Sequence, residues 1–404
     1  MTVSRDEVAA FQASRLAELV AHAQASSPNF AARLAQCRAG ELPLLTRRTL
    51  QSAPDIHCTQ VPAEHGKITE LRTSGSTGEP VMVRKTARTA QIWNGLIMRF
   101  HEWHHSDYSL TLMAVKASFD EVEFAPDWGR PVSHFAQTGP AIAMPIMRDA
   151  GEIYQVAREH RVGDLLIFPN SLAALLRLIR RTGEGLPDLK RLRTVSETLP
   201  DNVRSEAREL LGLDPIDLYS SNEFGTIAIQ CPESGLYHTM DDALIVEVLR
   251  ADGTACTPGE VGRLVVTDLN NYATPLIRYE CGDHAEVAEP CGCPIPFGTL
   301  RRIMGRDRNL LLLPDGRRVW PRLGIYQFAR DIAPVVQYQV IQHTLHELEL
   351  RLVVERPLVA AEEAALAGKL CEAIGQPFAV RFSYFADRIP LPPSGKFEEF
   401  VCRC

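Results

Sequence analysis

No stretch of this chain approaches the roughly eighteen uninterrupted apolar residues that a membrane-spanning helix needs, so a membrane protein is not expected. Basic residues form no long run either. Lys and Arg total 43 against 50 Asp and Glu, a formal charge of −7, and the arginine pairs (Arg47-Arg48, Arg180-Arg181, Arg301-Arg302, Arg317-Arg318) are scattered. Neither nucleic acid nor an anionic membrane surface is therefore an expected partner. Internal repeats and low-complexity tracts are absent, as is the Gly-Lys-Ser/Thr of a phosphate-binding P-loop. The first residues, with Arg5, Asp6 and Glu7 ahead of an amphipathic helix, do not read as a signal peptide. Ten cysteines without such a signal fit reduced thiols in a cytoplasmic protein, some of them available to metal.

What is present is an ordinary globular composition, 45% apolar and 23% charged, over 404 residues. That length exceeds a single core and leads us to expect one large and one smaller domain. The most informative segment is Thr73-Ser74-Gly75-Ser76-Thr77-Gly78-Glu79-Pro80, between an alternating run (Ile68 to Arg72) and Val81-Met82-Val83. It reads as a hairpin loop whose glycines let the backbone approach a ligand and whose hydroxyls and N–H groups can cradle phosphate oxygens.

Helical periodicity marks Val8 to Ala23, Phe30 to Ala39 and Thr89 to His104. Strand–helix alternation follows: Leu110 to Val115, Ala141 to Pro145 with a helix Gly151 to His160, and Leu165 to Phe168 with Leu172 to Arg181 capped by Ser171. Leu192 to Val195 and Ile216 to Leu218 flank a helix Asp201 to Leu211. This is the pattern of a mainly parallel sheet with covering helices. Beyond Ser220, strands Ala243 to Leu249, Gly262 to Thr267 and His284 to Ala288, joined by tight turns, predict an antiparallel β subdomain at about 225–300. The expected division is a core at 1–305, a hinge at 306–309 and a small α+β lid domain at 310–404, with strands Val336 to Ile341, Glu347 to Val354 and Ala379 to Phe385 and a helix Val359 to Ile374.

Three further segments carry chemistry. Tyr219-Ser220-Ser221-Asn222-Glu223 follows a strand directly, where open α/β sheets bind ligands; the tyrosine offers a face for a purine and the glutamate a hard oxygen for Mg²⁺. Pro275 to Asp283 ends in a Gly-Asp turn whose carboxylate can accept ribose hydroxyls. Pro392-Pro393-Ser394-Gly395-Lys396 presents a lysine on a loop, a point-charge clamp for phosphate or carboxylate.

In this order and spacing the segments resemble the adenylate-forming superfamily of acyl-CoA synthetases, adenylation domains and luciferases, most closely its phenylacetate–CoA ligase branch, from about Leu42 to Lys396. The resemblance implies that Thr73, Ser74, Gly75, Ser76, Thr77 and Gly78 hold ATP phosphates and that Tyr219 stacks on adenine, with Ser196-Glu197-Thr198 alongside and Ser220, Ser221 and Asn222 near the phosphates. It implies Glu223 as the Mg²⁺ ligand, Asp283 on the ribose, Arg306 on the nucleotide and Arg308 as the hinge residue. Lys396 would stabilise charge as the acyl-adenylate forms, and Gly316 matches a glycine that relatives bring to the thioester site. The chemistry so implied is positional and electrostatic. ATP, Mg²⁺, a small carboxylic acid (an aryl or arylacetic acid best) and coenzyme A would be the reactants, with an amine or carrier-protein thiol as alternative acceptor and a homodimer as one arrangement left open. Ser220 and Asn222 depart from the usual Tyr-Gly-x-Thr/Ser-Glu, and Arg308-Asn309 from the usual hinge; a degenerate nucleotide-binding sensor is the reading those departures favour.

Two clusters remain. Cys231, His238, Cys291 and Cys293 make a four-donor set that suits either a structural Zn²⁺, as in some relatives of this branch, or unligated thiols. His101, His104 and His105 end a helix and read as a solvated terminus stabilised by the helix dipole. Trp103, Phe119, Phe124 and Trp128 fall where relatives build the acyl pocket, and read equally as pocket or as core.

Overall fold

The computed structural model describes residues 3–72, 80–321, 329, 332–386, 388–392 and 396–404. The chain divides into two compact units, Met1–Leu199 with Ala207–Met304, and Pro200–Glu206 with Gly305–Cys404. No helix among the described residues is long and apolar enough to cross a membrane.

The first unit begins with α1 (Arg5–Ser26), α2 (Pro28–Leu34) and α3 (Arg47–Ser52). Ser4 caps α1 in a reciprocal box with Glu7, and each of the next two helices starts on a hydroxyl, Ser27 or Thr46, that accepts an N–H of its first turn. Strands β1 (Ile68–Arg72) and β2 (Met82–Thr86) pair antiparallel as expected, and the loop from Thr73 to Glu79 lies outside the described residues. Thr86 then caps α4 (Ala87–Trp103), whose Leu96 and Phe100 enter the main core with Val81, Val83, Phe224 and Tyr279.

One twelve-stranded sheet forms the body of this unit. In chain order its strands are β3 (Thr111–Lys116), β4 (Glu123–Ala125), β5 (Ala141–Pro145), β6 (Val162–Ile167), β7 (Arg191–Val195), β8 (Ile216–Ser221), β9 (Gly225–Gln230), β10 (Tyr237–Thr239), β11 (Leu244–Leu249), β12 (Val261–Asp268), β13 (Tyr279–Val287) and β14 (Thr299–Arg306). The spatial order is β11-β12-β13-β14-β10-β9-β8-β7-β6-β3-β5-β4. From β5 to β8 neighbours run parallel, linked through α5 (Val132–Phe135), α6 (Ala150–Glu159), α7 (Pro169–Thr182) and α8 (Asp201–Leu211). From β8 to β11 and at the β4 edge every registered pair is antiparallel. The antiparallel strands of the expected β subdomain continue the parallel sheet. The change of direction is made by the β8–β9 turn, not by a gap between layers.

β3 is the topological switch point, since the chain leaves it for β5 on one side and returns to β6 on the other. Ligand crevices of open α/β sheets lie at the carboxyl end of such a strand.

Two local expectations are corrected. Ser171 does not cap α7: Pro169 takes the first turn, with its fixed φ and no N–H to satisfy, and leaves Ser171 inside the helix. Two of the three histidines are not solvated, and only His105 is exposed. His101 is buried, its Nδ1 2.8 Å from Ser106 Oγ and its ring against Tyr108 and Trp128, and His104 Nε2 lies 2.8 Å from Gln230 O. Burial, aided by Arg193 and Arg191, holds His101 neutral down to about pH 3. Of the four aromatics readable as pocket or as core, three are placed by their contacts. Trp128 gives its indole N–H to Leu110 O at 2.9 Å, Trp103 packs on His238 and Phe297, and Phe124 stands 60% exposed beside His160.

The second unit holds β15 (Leu311–Leu312), β16 (Arg318–Val319), β17 (Val335–Thr344), β18 (Glu347–Val354), β19 (Ala379–Phe385) and β20 (Phe400–Cys402). The last four form a mixed sheet in the order β19-β18-β17-β20, covered by the helix Ala360–Ile374 through Leu366 and Leu370.

His101 predicts an acid-side loss of stability. Its ordinary value of 6.5 applies to the unfolded chain, so between that pH and about 3 only the unfolded state takes the proton, and stability falls as pH falls through that window. Urea midpoints of wild type and His101→Phe from pH 4 to 7 should diverge toward neutrality, the variant's slope being shallower by up to about 1.4 kcal/mol per pH unit.

Candidate functional site

The β8–β9 turn carries one whole motif that the sequence singles out, Tyr219 to Glu223, and brings it against Asp283. β8 delivers Tyr219, Ser220 and Ser221 to the carboxyl end of the parallel strands, and Asn222 and Glu223 form the turn itself. Ser221 Oγ accepts the Phe224 N–H at 3.2 Å, which closes the turn. Phe224 is fully buried and anchors it in the core.

Tyr219 and Asp283, 64 residues apart in the chain, meet directly: the phenol donates to Asp283 Oδ2 at 2.7 Å. The tyrosine ring packs against the apolar clusters on both sides of this junction. Asp283 sits on β13 beyond Gly282, whose φ of +77° places it where a side chain would strain the backbone. Upstream in the same motif Arg278 has φ +50° despite its side chain. A clamp holds it there: Nε and Nη2 take the two oxygens of Glu247 at 3.1 Å each, Nη1 donates to Leu42 O, and its backbone bonds Thr267 Oγ1 and Leu45 N.

Ser196 has φ +75°, a second strained position inside a motif. The loop it starts turns Glu197 onto the first turn of α7, where Oε2 accepts the Asn170 N–H at 2.9 Å; Thr198 is exposed. A carboxylate at a helix N-terminus is electrostatically favoured, so part of this motif is spent on structure.

Four residues that sequence reasoning passed over complete the turn. Lys85, on β2, is only 6% exposed; its ammonium donates to Asn222 O and lies 3.2 Å from the centre of the Trp93 ring. Burial pulls this amine down to about 7, opposed by Asp268 and Glu223. Arg47 Nη1 stands 3.7 Å from Glu223 Oε1. Trp93 in turn presses on Gly225, whose φ is +71° and whose missing Cβ would lie 2.6 Å from Trp93 Cδ2. The available signal was an alternating strand, Val81 to Lys85, with a lysine at an inward position.

The cysteine–histidine set is brought together from three places. Cys231 follows β9, His238 is on β10, and Cys291 and Cys293 lie between β13 and β14. All four donor atoms fall within 4.8 Å of one another. Cys231 Sγ is 3.8 Å from Cys291 Sγ, and His238 Nε2 is 3.2 Å from Cys293 Sγ. A tetrahedron with Zn–S near 2.3 Å and Zn–N near 2.0 Å has edges of about 3.8 Å between sulfurs and about 3.5 Å between sulfur and nitrogen. The donor set therefore fits that ion. Burial keeps His238 below its ordinary pKa, in the neutral form a ligand requires.

In the second unit the expected hinge and the lysine loop are neighbours. Arg308 Nε and Asn309 Nδ2 both bond Glu398 Oε1, at 2.8 and 3.1 Å, and Asn309 also binds Phe400 O and takes the Arg306 N–H on its Oδ1. Lys396 lies two residues before Glu398; Pro393, Ser394 and Gly395 lie outside the described residues. Gly316, at φ +85°, makes the turn between β15 and β16.

Residues 317–403 match the family model of the CapK C-terminal domain. The chain is 24% identical over 344 residues to the phenylacetate–coenzyme A ligase of Pseudomonas putida, covering 79% of this chain and 75% of the relative. The Escherichia coli K12 enzyme of the same name is also 24% identical, covering 79% and 76%. A 2-hydroxyisobutyryl-CoA ligase, solved in the postadenylation state with an acyl-AMP, shares the fold at a TM-score of 0.75 and 15% identity, over 99% of this chain and 90% of that one. An anthranilate CoA ligase with anthranoyl-AMP gives 0.61 at 16% identity, over 81% and 65%. The resemblance to the adenylate-forming superfamily and its phenylacetate–CoA ligase branch is thus borne out.

Gly225→Ala tests the constraint on the turn. It adds a strained φ and a clash with Trp93, an expected cost of about 2–4 kcal/mol. Chemical denaturation reads it; an unchanged midpoint would show that the turn relaxes freely.

Proposed function

We propose that this protein is an AMP-forming acid–thiol ligase: it activates a carboxylic acid with ATP and passes the acyl group to coenzyme A. The observation that carries the reading is the Tyr219–Asp283 hydrogen bond, which sets two ordered motifs side by side at the carboxyl end of the parallel strands.

In the first half-reaction the substrate carboxylate attacks the α-phosphorus of ATP and pyrophosphate leaves. Tyr219 offers its ring to adenine, and Asp283, already oriented by the tyrosine hydroxyl, accepts from ribose. Thr73 to Gly78, whose sequence supplies glycines and hydroxyls, would hold the phosphates, Thr77 among them. Glu223 would hold Mg²⁺, which neutralises phosphate charge; its side chain is largely buried, and Arg47 Nη1 stands a loose 3.7 Å from its Oε1. Ser196 to Thr198, Ser220 to Asn222 and Arg306 border the nucleotide. Lys396 supplies positive charge as the carboxylate and α-phosphate come together. In the second half-reaction the thiol attacks the acyl carbon and AMP leaves, with Arg308 as the point of lid rotation. Core 1–305, hinge 306–309 and lid 310–404 are the parts this cycle uses. An aryl or arylacetic acid is the substrate class that the named relatives favour. An amine or a carrier-protein thiol is the alternative acceptor for the same adenylate.

Cys231, His238, Cys291 and Cys293 hold one Zn²⁺ in this reading. All four positions are protein, so the ion staples the β9–β10 hairpin to the β13–β14 loop and takes no part in the reaction.

Two outcomes are expected. Wild type should exchange radiolabelled pyrophosphate into ATP with some acid of an aryl and aliphatic panel, and Lys396→Ala should lose that exchange by about 100-fold or more while ATP binding persists. Absence of exchange with every acid would favour the nucleotide sensor. For the cluster, elemental analysis should find one zinc per chain, and Cys293→Ser should release it and lower the melting temperature; metal-free wild type with the same melting temperature would mean unligated thiols.

A further inference from the structure

The switch-point strand ends in a lysine. Lys116 is the last residue of β3, and the register shows what shares its face of the sheet. Leu112 is level with Asp164 and Ala114 with Leu166 across β3 and β6; Asp164 is level with Arg191 and Leu166 with Arg193 across β6 and β7. Alternation therefore puts Lys116, Ala114, Asp164, Arg191 and Arg193 on one face. On the other flank Ala114 is level with Ala143, and Lys116 with Pro145. Toward β5, then, the residues level with Ala114 and Lys116 are an alanine and a proline, and Lys116 stands at the strand end where open α/β sheets bind ligands.

The charges on this face do not balance. Asp164 is fully buried, and its Oδ1 takes Arg193 Nε at 2.7 Å while its Oδ2 lies 4.0 Å from Arg191 Nε. Arg191 is further held by His104 O and His105 O, with Asp107 contributing. His101, against the same arginines, stays neutral. One buried carboxylate thus serves two guanidinium groups, and Arg193 Nη2 is buried with no hydrogen-bond partner among the described residues. Lys116 gains nothing from this set. No carboxylate pairs with it among the described residues, and the charge it feels is the repulsive one of Arg193, which together with burial pulls its pKa down. The nearest acidic residue on the face by register is Glu123, level with Ala143 on the edge strand β4, two strands away and exposed. A half-buried cation kept without an anion costs stability, and such groups persist where a ligand supplies the missing charge.

We infer that Lys116 is a specificity residue for the far end of the substrate, and that the acid activated here carries a second anionic group, a carboxylate, which Lys116 binds over Ala114 and Ala143. The inference rests on the ligase reading and names its substrate class: a dicarboxylic acid, one carboxylate adenylated and the other held by the lysine. The arginine pair behind it adds positive potential without direct contact. A neutral acid in the same place would leave Lys116 desolvated and unpaired, the kind of mismatch that discriminates strongly.

Matched acids differing only in the distal carboxylate provide the test: benzoate with terephthalate, phenylacetate with 4-carboxyphenylacetate, valerate with adipate. In pyrophosphate exchange the diacid of at least one pair should exceed its monoacid in kcat/KM by about 100-fold. Lys116→Met should remove that preference by lowering the diacid and leaving or raising the monoacid, whereas Lys116→Arg should keep part of it. A uniform loss for both acids in Lys116→Met would show a merely structural lysine and overturn the inference. So would exchange in which every monoacid equals or exceeds its diacid, and this outcome leaves the ligase reading intact. No exchange with any acid overturns both.

Discussion

Position 225 admits glycine alone, and the site is arranged around that restriction. Its φ of +71° lets β8 reverse into β9, and the absence of a Cβ lets the Trp93 ring lie where a methyl group would stand. Trp93 then provides the face on which the Lys85 ammonium rests, and Lys85 fastens Asn222 through its carbonyl. A turn held at its backbone by a buried cation leaves its side chains for other work. Tyr219 reaches sideways to Asp283 and Glu223 outward to Arg47, and neither is needed to hold the turn. The same turn converts a parallel sheet into an antiparallel one, so a single local constraint fixes both the topology and the place where motifs distant in sequence converge.

The sequence made the parallel half readable because its strands are buried on both faces. β6 has no exposed residue, and such runs announce themselves as unbroken apolar segments followed by amphipathic helices. β5 lies at its expected limits for that reason, and β18 and β19 of the second unit also match theirs although β19 has three exposed residues. The antiparallel half was legible only in part. Strands joined by short turns look alike whether they form a second layer or extend an existing sheet, and only the β8–β9 pairing, with its bulge between Tyr219 and Ser220, distinguishes the two. The Ser171 cap failed because a proline two residues earlier is the stronger start signal.

Histidines 101 and 104 show why polar residues are harder to read than apolar ones. At a helix end with hydrophilic neighbours they look solvated, yet Phe100 packs on both, Tyr108 and Trp128 close over His101, and burial, aided by two arginines, denies them a proton. Burial of a titratable group is a tertiary property, set by residues far along the chain. Lys85 is the same case with functional weight. Motif matching attends to the residues that touch ligand, and it has no means of finding a lysine that touches only the backbone beneath them. The paired motifs themselves were legible because each needs a special backbone, and the glycines or strained residues that supply it stand out in a sequence.

Arg308 and Asn309 stand where the sequence resemblance places a hinge, and their contacts have a physical consequence for the proposed lid. Both side chains grip Glu398, and Asn309 also holds Phe400 on β20, so the hinge is tied to the strand that follows Lys396. The Arg308–Glu398 pair is three-quarters shielded on each side, which makes it stronger than an open surface pair. Rotation about position 308 must then carry the start of β20, and with it Lys396, or break two hydrogen bonds to one carboxylate oxygen. In the proposed cycle a hinge so tied would not swing as a loose linker: it would move the lysine and the strand together, coupling withdrawal of the proposed adenylating cation to admission of the second acceptor. The departures from the usual hinge are therefore compatible with turnover, and they do not by themselves argue for a protein that merely binds nucleotide.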